Sequence, residues 1–118
     1  MKIPSKIKIG WKEYEVIEKG SNLDLTSGGD ECYGELYPDR RKLYINNSFD
    51  EEQKKATLIH EIIHGIDDLF GIGLKEEQVE ALGHGIYTVI KDNFQHDGIT
   101  YEKQYVDGRK EIIYEDER

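Results

Sequence analysis

His60-Glu61-Ile62-Ile63-His64 is the stretch on which the reading of this chain turns. Residues four apart share one face of a helix, so both imidazoles can point at one ion. Glu61 lies one step round from His60, where its carboxylate can hold and deprotonate a water. Ile62 and Ile63 face the other way, toward a core. The spacing predicts a metal-dependent hydrolytic centre with His60 and His64 as ligands and Glu61 as general base.

The surrounding sequence predicts the helix that this motif requires. Ser48, followed three residues later by Glu51, reads as a capping box, and Gly71 reads as a C-terminal stop. Between them Ala56, Ile59, Ile63, Ile66 and Leu69 or Phe70 recur at spacings of three and four, which predicts a core-facing stripe. After Gly71-Ile72-Gly73-Leu74 a second helix is expected over about 75–92. Its apolar side carries Val79, Leu82, Ile86, Val89 and Ile90, and Glu76 and Glu77 fall in its first turn, where carboxylates oppose the positive helix end.

A catalytic zinc takes three protein ligands and leaves one position open. The antiparallel return of the second helix brings its acidic start toward the histidines, so the third ligand is expected among Glu76, Glu77 and Glu80. Glu76 and Glu80 share a face, whereas Glu77 points elsewhere. Glu76 is favoured as the ligand, with Glu80 accepting the free ring N–H of a liganding histidine; the reverse assignment stays open. His84 continues that face as an alternative ligand or a polar lining residue. Asp67 and Asp68 follow His64 too closely to complete a tetrahedron easily. Tyr33, Tyr37, Tyr44 and His84 are candidate donors to a developing oxyanion.

Upstream, residues 3–17 alternate loosely around a turn at Gly10, with Ile7, Ile9, Tyr14, Val16 and Ile17, and predict two antiparallel strands. A polar, glycine-containing stretch runs from Lys19 to Asp30. Cys32 to Tyr37 and Lys42 to Ile45, separated by Pro38-Asp39, predict a second hairpin. The expected fold class is therefore α+β: one domain over residues 1–118, with a small antiparallel sheet packed on the motif helix and a second ligand-bearing helix. About 97–118 is read as a C-terminal hairpin or an extended tail, because Ile99 to Tyr105 and Lys110 to Tyr114 flank Val106-Asp107-Gly108-Arg109.

Composition narrows the partners. The chain has 25 acidic and 16 basic residues and a formal charge of −9, which repels a phosphate backbone and argues against direct nucleic-acid binding. No apolar run approaches membrane-spanning length, and the start at Met1 lacks a signal peptide's apolar stretch. Cys32 is the single cysteine; it excludes an intrachain disulfide framework and fits a reducing compartment, so the expected location is cytoplasmic.

Two segments, Ile59 to Ile66 and Glu76 to Gly83, resemble the ImmA/IrrE-type zinc metallopeptidases, most closely in look their small phage- and prophage-encoded members. The family's glutamate pattern falls on Glu76, Val79 and Glu80, with Val79 where alanine is usual, and its later apolar positions fall on Leu82, Gly83 and Ile86. Gly34-Glu35 and Lys42 to Asn46 look like the family's hairpin before the active-site helix, so the resemblance covers about residues 33–93. It implies a minimal gluzincin-like zincin domain, zinc held by His60, His64 and Glu76, and cleavage of a peptide or protein substrate such as a phage or host regulatory protein. Larger members add a helix-turn-helix domain, for which this chain has no room. The alternative expectation is a catalytically silent zinc-binding protein of the phage type that acts through protein–protein contact. A third is an interaction domain in which the motif is accidental.

Overall fold

The computed structural model describes residues 2–20, 32–94, 100–104 and 110–114, the last two stretches by their backbone alone. Most of the polar stretch before Asp30 and the turn at Val106 to Arg109 lie outside the described residues. Residues 1–88 and 89–118 form two compact units, with the boundary inside the second helix.

In the first unit β1 (Lys6–Ile9) and β2 (Lys12–Lys19) form one antiparallel hairpin, and β3 (Gly34–Tyr37) and β4 (Lys42–Asn46) form another. The hairpins join through β2 and β4, which run parallel with Val16 opposite Leu43, giving the order β1-β2-β4-β3. The sheet is thus mixed, which corrects the expectation of an antiparallel one. Turn residues specify only pairing within a hairpin. The connection from Lys19 to Lys42 is long enough, and includes β3, to return β4 alongside β2 in the same direction. One consequence is that β3 stands at an edge of the described sheet.

Helix α1 (Glu51–Phe70) covers one face of this sheet. Its N-cap is Asp50, whose carboxylate accepts from Gln53 N at 2.8 Å, and not Ser48. Ser48 is engaged at the end of β4, where its amide and hydroxyl both donate to Asn46 Oδ1. At the other end Gly71 adopts φ 61°, a left-handed conformation that a side chain would disfavour, and its amide bonds to Asp67 O. The core comprises Val16, Leu43, Ile45 and Leu58, with Ile3, Ile7, Leu36 and Ile62 packed against it.

The buried side of α1 differs from the expected stripe. Thr57, Leu58, Glu61 and Gly65 are buried along with Ile59 and Ile63, whereas Ile66 and Phe70 are exposed. The sheet covers one face of α1, and helix α2 (Glu76–Asn93) meets it at another, where Gly83 comes against His60 and Ile63. On α2 only Val79 and Gly83 are buried, and Leu82, Ile86 and Val89 of the expected apolar side are exposed. Periodicity identifies a stripe but not whether a neighbour lies against it. Gly83 marks the crossing: a Cβ there would lie 3.6 Å from His60 Cα and 3.8 Å from Ile63 Cδ1.

In the second unit β5 (Thr100–Gln104) and β6 (Lys110–Tyr114) pair antiparallel, with Glu102 opposite Ile112. Among the described residues no helix is long and apolar enough to cross a membrane.

Candidate metal centre

His60 and His64 project from the middle of α1, with ring centroids 4.9 Å apart. Both direct Nε2 at a single carboxylate: Glu76 Oε2 lies 2.9 Å from His60 and Oε1 lies 3.1 Å from His64. One ligand atom from each of the three residues falls within 4.8 Å of the others. The histidines are half-buried and Glu76 is exposed. Two imidazole nitrogens and one carboxylate oxygen are the donor set of a three-ligand zinc site with one position left for water or substrate. The residues present therefore fit a divalent ion such as zinc.

A turn built by side chains brings Glu76 to this point. Asp67, in the last turn of α1, accepts from Gly73 N at 2.7 Å and Leu74 N at 3.2 Å. The Gln78 side chain accepts from Lys75 N at 2.8 Å and closes the first turn of α2. Asp67 thus holds the connection between α1 and α2 and is not among the clustered donors. Asp68 is likewise committed elsewhere, 3.2 Å from Lys12 Nζ. The sequence carries a signal for this role of Asp67: an aspartate at a helix end followed by two turn glycines, Gly71 and Gly73.

Glu80 lies one turn after Glu76. Its Oε1 is 3.4 Å from His60 Nδ1, and its Oε2 is 3.2 Å from His84 Nε2. It therefore stands behind the His60 ring while Glu76 stands in front. His84 reaches Glu80 and not the cluster, and Glu77 is exposed outside it.

Glu61 is only 6 % exposed, on the side of α1 that meets β3. The chain approaches closely there because residue 34 is glycine: a Cβ on Gly34 would lie 2.6 Å from Thr57 Cγ2 and 3.6 Å from Glu61 Cγ. Burial, then the charges of Glu76 and Glu35, push the Glu61 carboxyl up to about 8. A bound cation opposes all three causes by favouring the carboxylate form.

These groups share a cleft of about 930 Å³ between β3 and the two helices. His60, Glu61, His64 and Glu76 form one wall, and the stretch from Cys32 to Pro38 forms the other. Of the tyrosines considered as donors, Tyr33 and Tyr37 line the cleft and Tyr44 does not. Tyr33 packs on Phe49, and the Tyr37 hydroxyl donates to Glu35. Glu35 itself carries no local sequence signal for proximity to Glu61, because only the long-range placement of β3 brings them near.

Comparison with protein-family models, curated proteins and solved structures found no match to this chain.

Proposed function

We propose that this protein is a small zinc-dependent peptidase of the zincin type, akin to the ImmA/IrrE metallopeptidases. The observation that carries the reading is the convergence of His60, His64 and Glu76 beside buried Glu61 on one wall of an open cleft. His60, His64 and Glu76 would hold the ion, and Glu80, behind His60 Nδ1, would keep that ring oriented. Zinc held there supplies Lewis acidity, lowering the pKa of water and polarising a carbonyl. Glu61 takes the proton from water at its carboxylate and passes it to the departing amine. The outer edge of β3 aligns an extended peptide across the cleft by backbone hydrogen bonds. The natural target under this reading is a peptide or protein, including a phage or host regulatory protein.

A second reading is a catalytically silent zinc-binding protein that acts through protein–protein contact. The exposed apolar residues of the two helices, Ile66, Phe70, Leu82 and Ile86, favour it.

Glu61→Gln separates the two. Amide and carboxylate have similar shapes, but the amide cannot take a proton from water at neutral pH. Zinc-loaded wild type is expected to cleave members of an unbiased peptide library. The variant should retain the fold and stoichiometric zinc and cleave about 10²–10⁴-fold more slowly. Equal zinc-dependent turnover by both proteins would refute the role given to Glu61. No turnover by either, with zinc bound, would favour the silent reading.

A further inference from the structure

The two faces of edge strand β3 differ. Gly34 and Leu36 face α1, Gly34 against Thr57 and Glu61 and Leu36 against the core. Strand alternation roots Glu35 and Tyr37 on the opposite face, at the rim of the cleft that both also line. There the Tyr37 hydroxyl donates to Glu35 Oε1 at 2.7 Å, and its ring stands edge-on to Tyr44.

The hydrogen-bond phase of the ladder follows from one contact. Asn46 N donates to Tyr33 O at 2.8 Å, and in the register Gly34 opposite Ile45 this makes Tyr33, Glu35 and Tyr37 the residues bonded to β4. Gly34 and Leu36 then turn their N–H and C=O groups away from β4, to the side on which no described strand pairs. A strand added antiparallel to β3 bonds at those two residues. Glu35 becomes half of a non-hydrogen-bonded pair, the arrangement in which facing side chains approach most closely.

The rest of this face indicates which side chain Glu35 receives. Neighbouring strands match opposite charges: Lys6 faces Glu15, Glu15 faces Lys42, and Lys8 faces Glu13. Lys42 Nζ lies 2.6 Å from Glu15 Oε1. Glu35 ends the row that runs from Ile17 through Tyr44. No lysine or arginine among the described residues pairs with Glu35. The described lining of the cleft carries Glu35, Glu61, Glu76 and Glu80 and no basic side chain other than histidine.

We infer that Glu35 is a specificity-determining residue: it selects an extended peptide that places lysine or arginine on the outer face, adjacent in sequence to a residue entering the cleft. That the selected peptide is a substrate rests on the peptidase reading above; its selection does not.

The test measures binding and cleavage separately on one set of labelled peptides with lysine, arginine, norleucine or glutamate at each position in turn. Binding is measured by fluorescence polarisation to zinc-loaded Glu61→Gln, and cleavage with zinc-loaded wild type. At one position the basic residues should be favoured over norleucine by about two- to fivefold, as for a cross-strand ion pair. Adding Glu35→Gln should bring that ratio to about one, and Glu35→Lys should turn the preference toward glutamate, which a merely structural role would not do. Cleavage without a basic preference, or with a preference unmoved by Glu35→Lys, overturns the assignment and leaves the peptidase reading intact; binding of that kind without cleavage overturns both. A Glu35-dependent preference in binding without cleavage by wild type supports the assignment and overturns the peptidase reading. Neither binding nor cleavage overturns both.

Discussion

At the scale of single residues, the centre depends on which side of each imidazole a carboxylate occupies. Glu76 contacts the Nε2 atoms of both histidines, while Glu80 stands near Nδ1 of His60. His60→Ala and His64→Ala are therefore expected to lose nearly all bound zinc, and Glu76→Gln to weaken zinc more than Glu80→Gln. Loss of an outer partner costs on the order of 10–100-fold in affinity. Metal content by mass spectrometry and competition with a chelator measure both effects, and a larger loss in Glu80→Gln would reverse the two roles. Glu61 gives a separate signature in metal-free protein. Its carboxyl titrates near 4.5 when unfolded and about 8 when folded, so the fold favours the protonated form. Its contribution is complete below the unfolded value and disappears as pH rises through the folded one. Metal-free wild type should thus lose on the order of 1.4 kcal/mol of stability per pH unit between about 5 and 8 relative to Glu61→Gln. Parallel urea-denaturation profiles of the two proteins across that range would refute it. Helical spacing alone made His60, His64 and the shared face of Glu76 and Glu80 legible in the sequence. The burial of Glu61 was not, because the β3 residues that enclose it are remote in the chain.

At the scale of elements, sequence patterns located all four N-terminal strands and both helices, since turn glycines, caps and period are local signals. They placed the helix stop at Gly71 but the start at Ser48, where the competing Asn46 contacts prevail. They also assigned Ile66, and Leu69 or Phe70, to the buried side of α1. Leu69 is half-buried and lies close to Gly10, whereas Ile66 and Phe70 are exposed and the contacts with the sheet use Leu58, Ile62 and Gly65. The seat of α1 on β3 depends on Gly34. Gly34→Ala would put a methyl 2.6 Å from both Thr57 Cγ2 and Tyr44 O. The backbone oxygen cannot swing aside as a side chain can. The expected cost is about 1–3 kcal/mol, with weaker zinc binding because α1 carries both histidines. A chemical-denaturation midpoint equal to that of wild type would show that strand and helix are less tightly seated than this spacing requires.

At the scale of the whole molecule, the pairing of β2 with β4 was the feature no local pattern could reveal, and it leaves Gly34 and Leu36 with outward-facing backbone groups. An open ladder accepts any extended chain, including β3 of a second copy, and such edges are the usual starting point of unwanted sheet growth. Here the strand is only four residues long, each copy carries a formal charge of −9, and pairing of two edges would bring one Glu35 toward another. The glutamate that draws in a basic peptide thus also keeps copies apart. Salt should weaken this protection, since the screening length falls from about 10 Å at 0.1 M to about 3 Å at 1 M. Sedimentation velocity is expected to show more self-association at high salt, and more in Glu35→Gln than in wild type at every salt concentration. If the two proteins sediment identically throughout, Glu35 has no part in keeping the edge free. If they differ as expected, the side chain that chooses the guest is also what keeps the binding edge vacant for it.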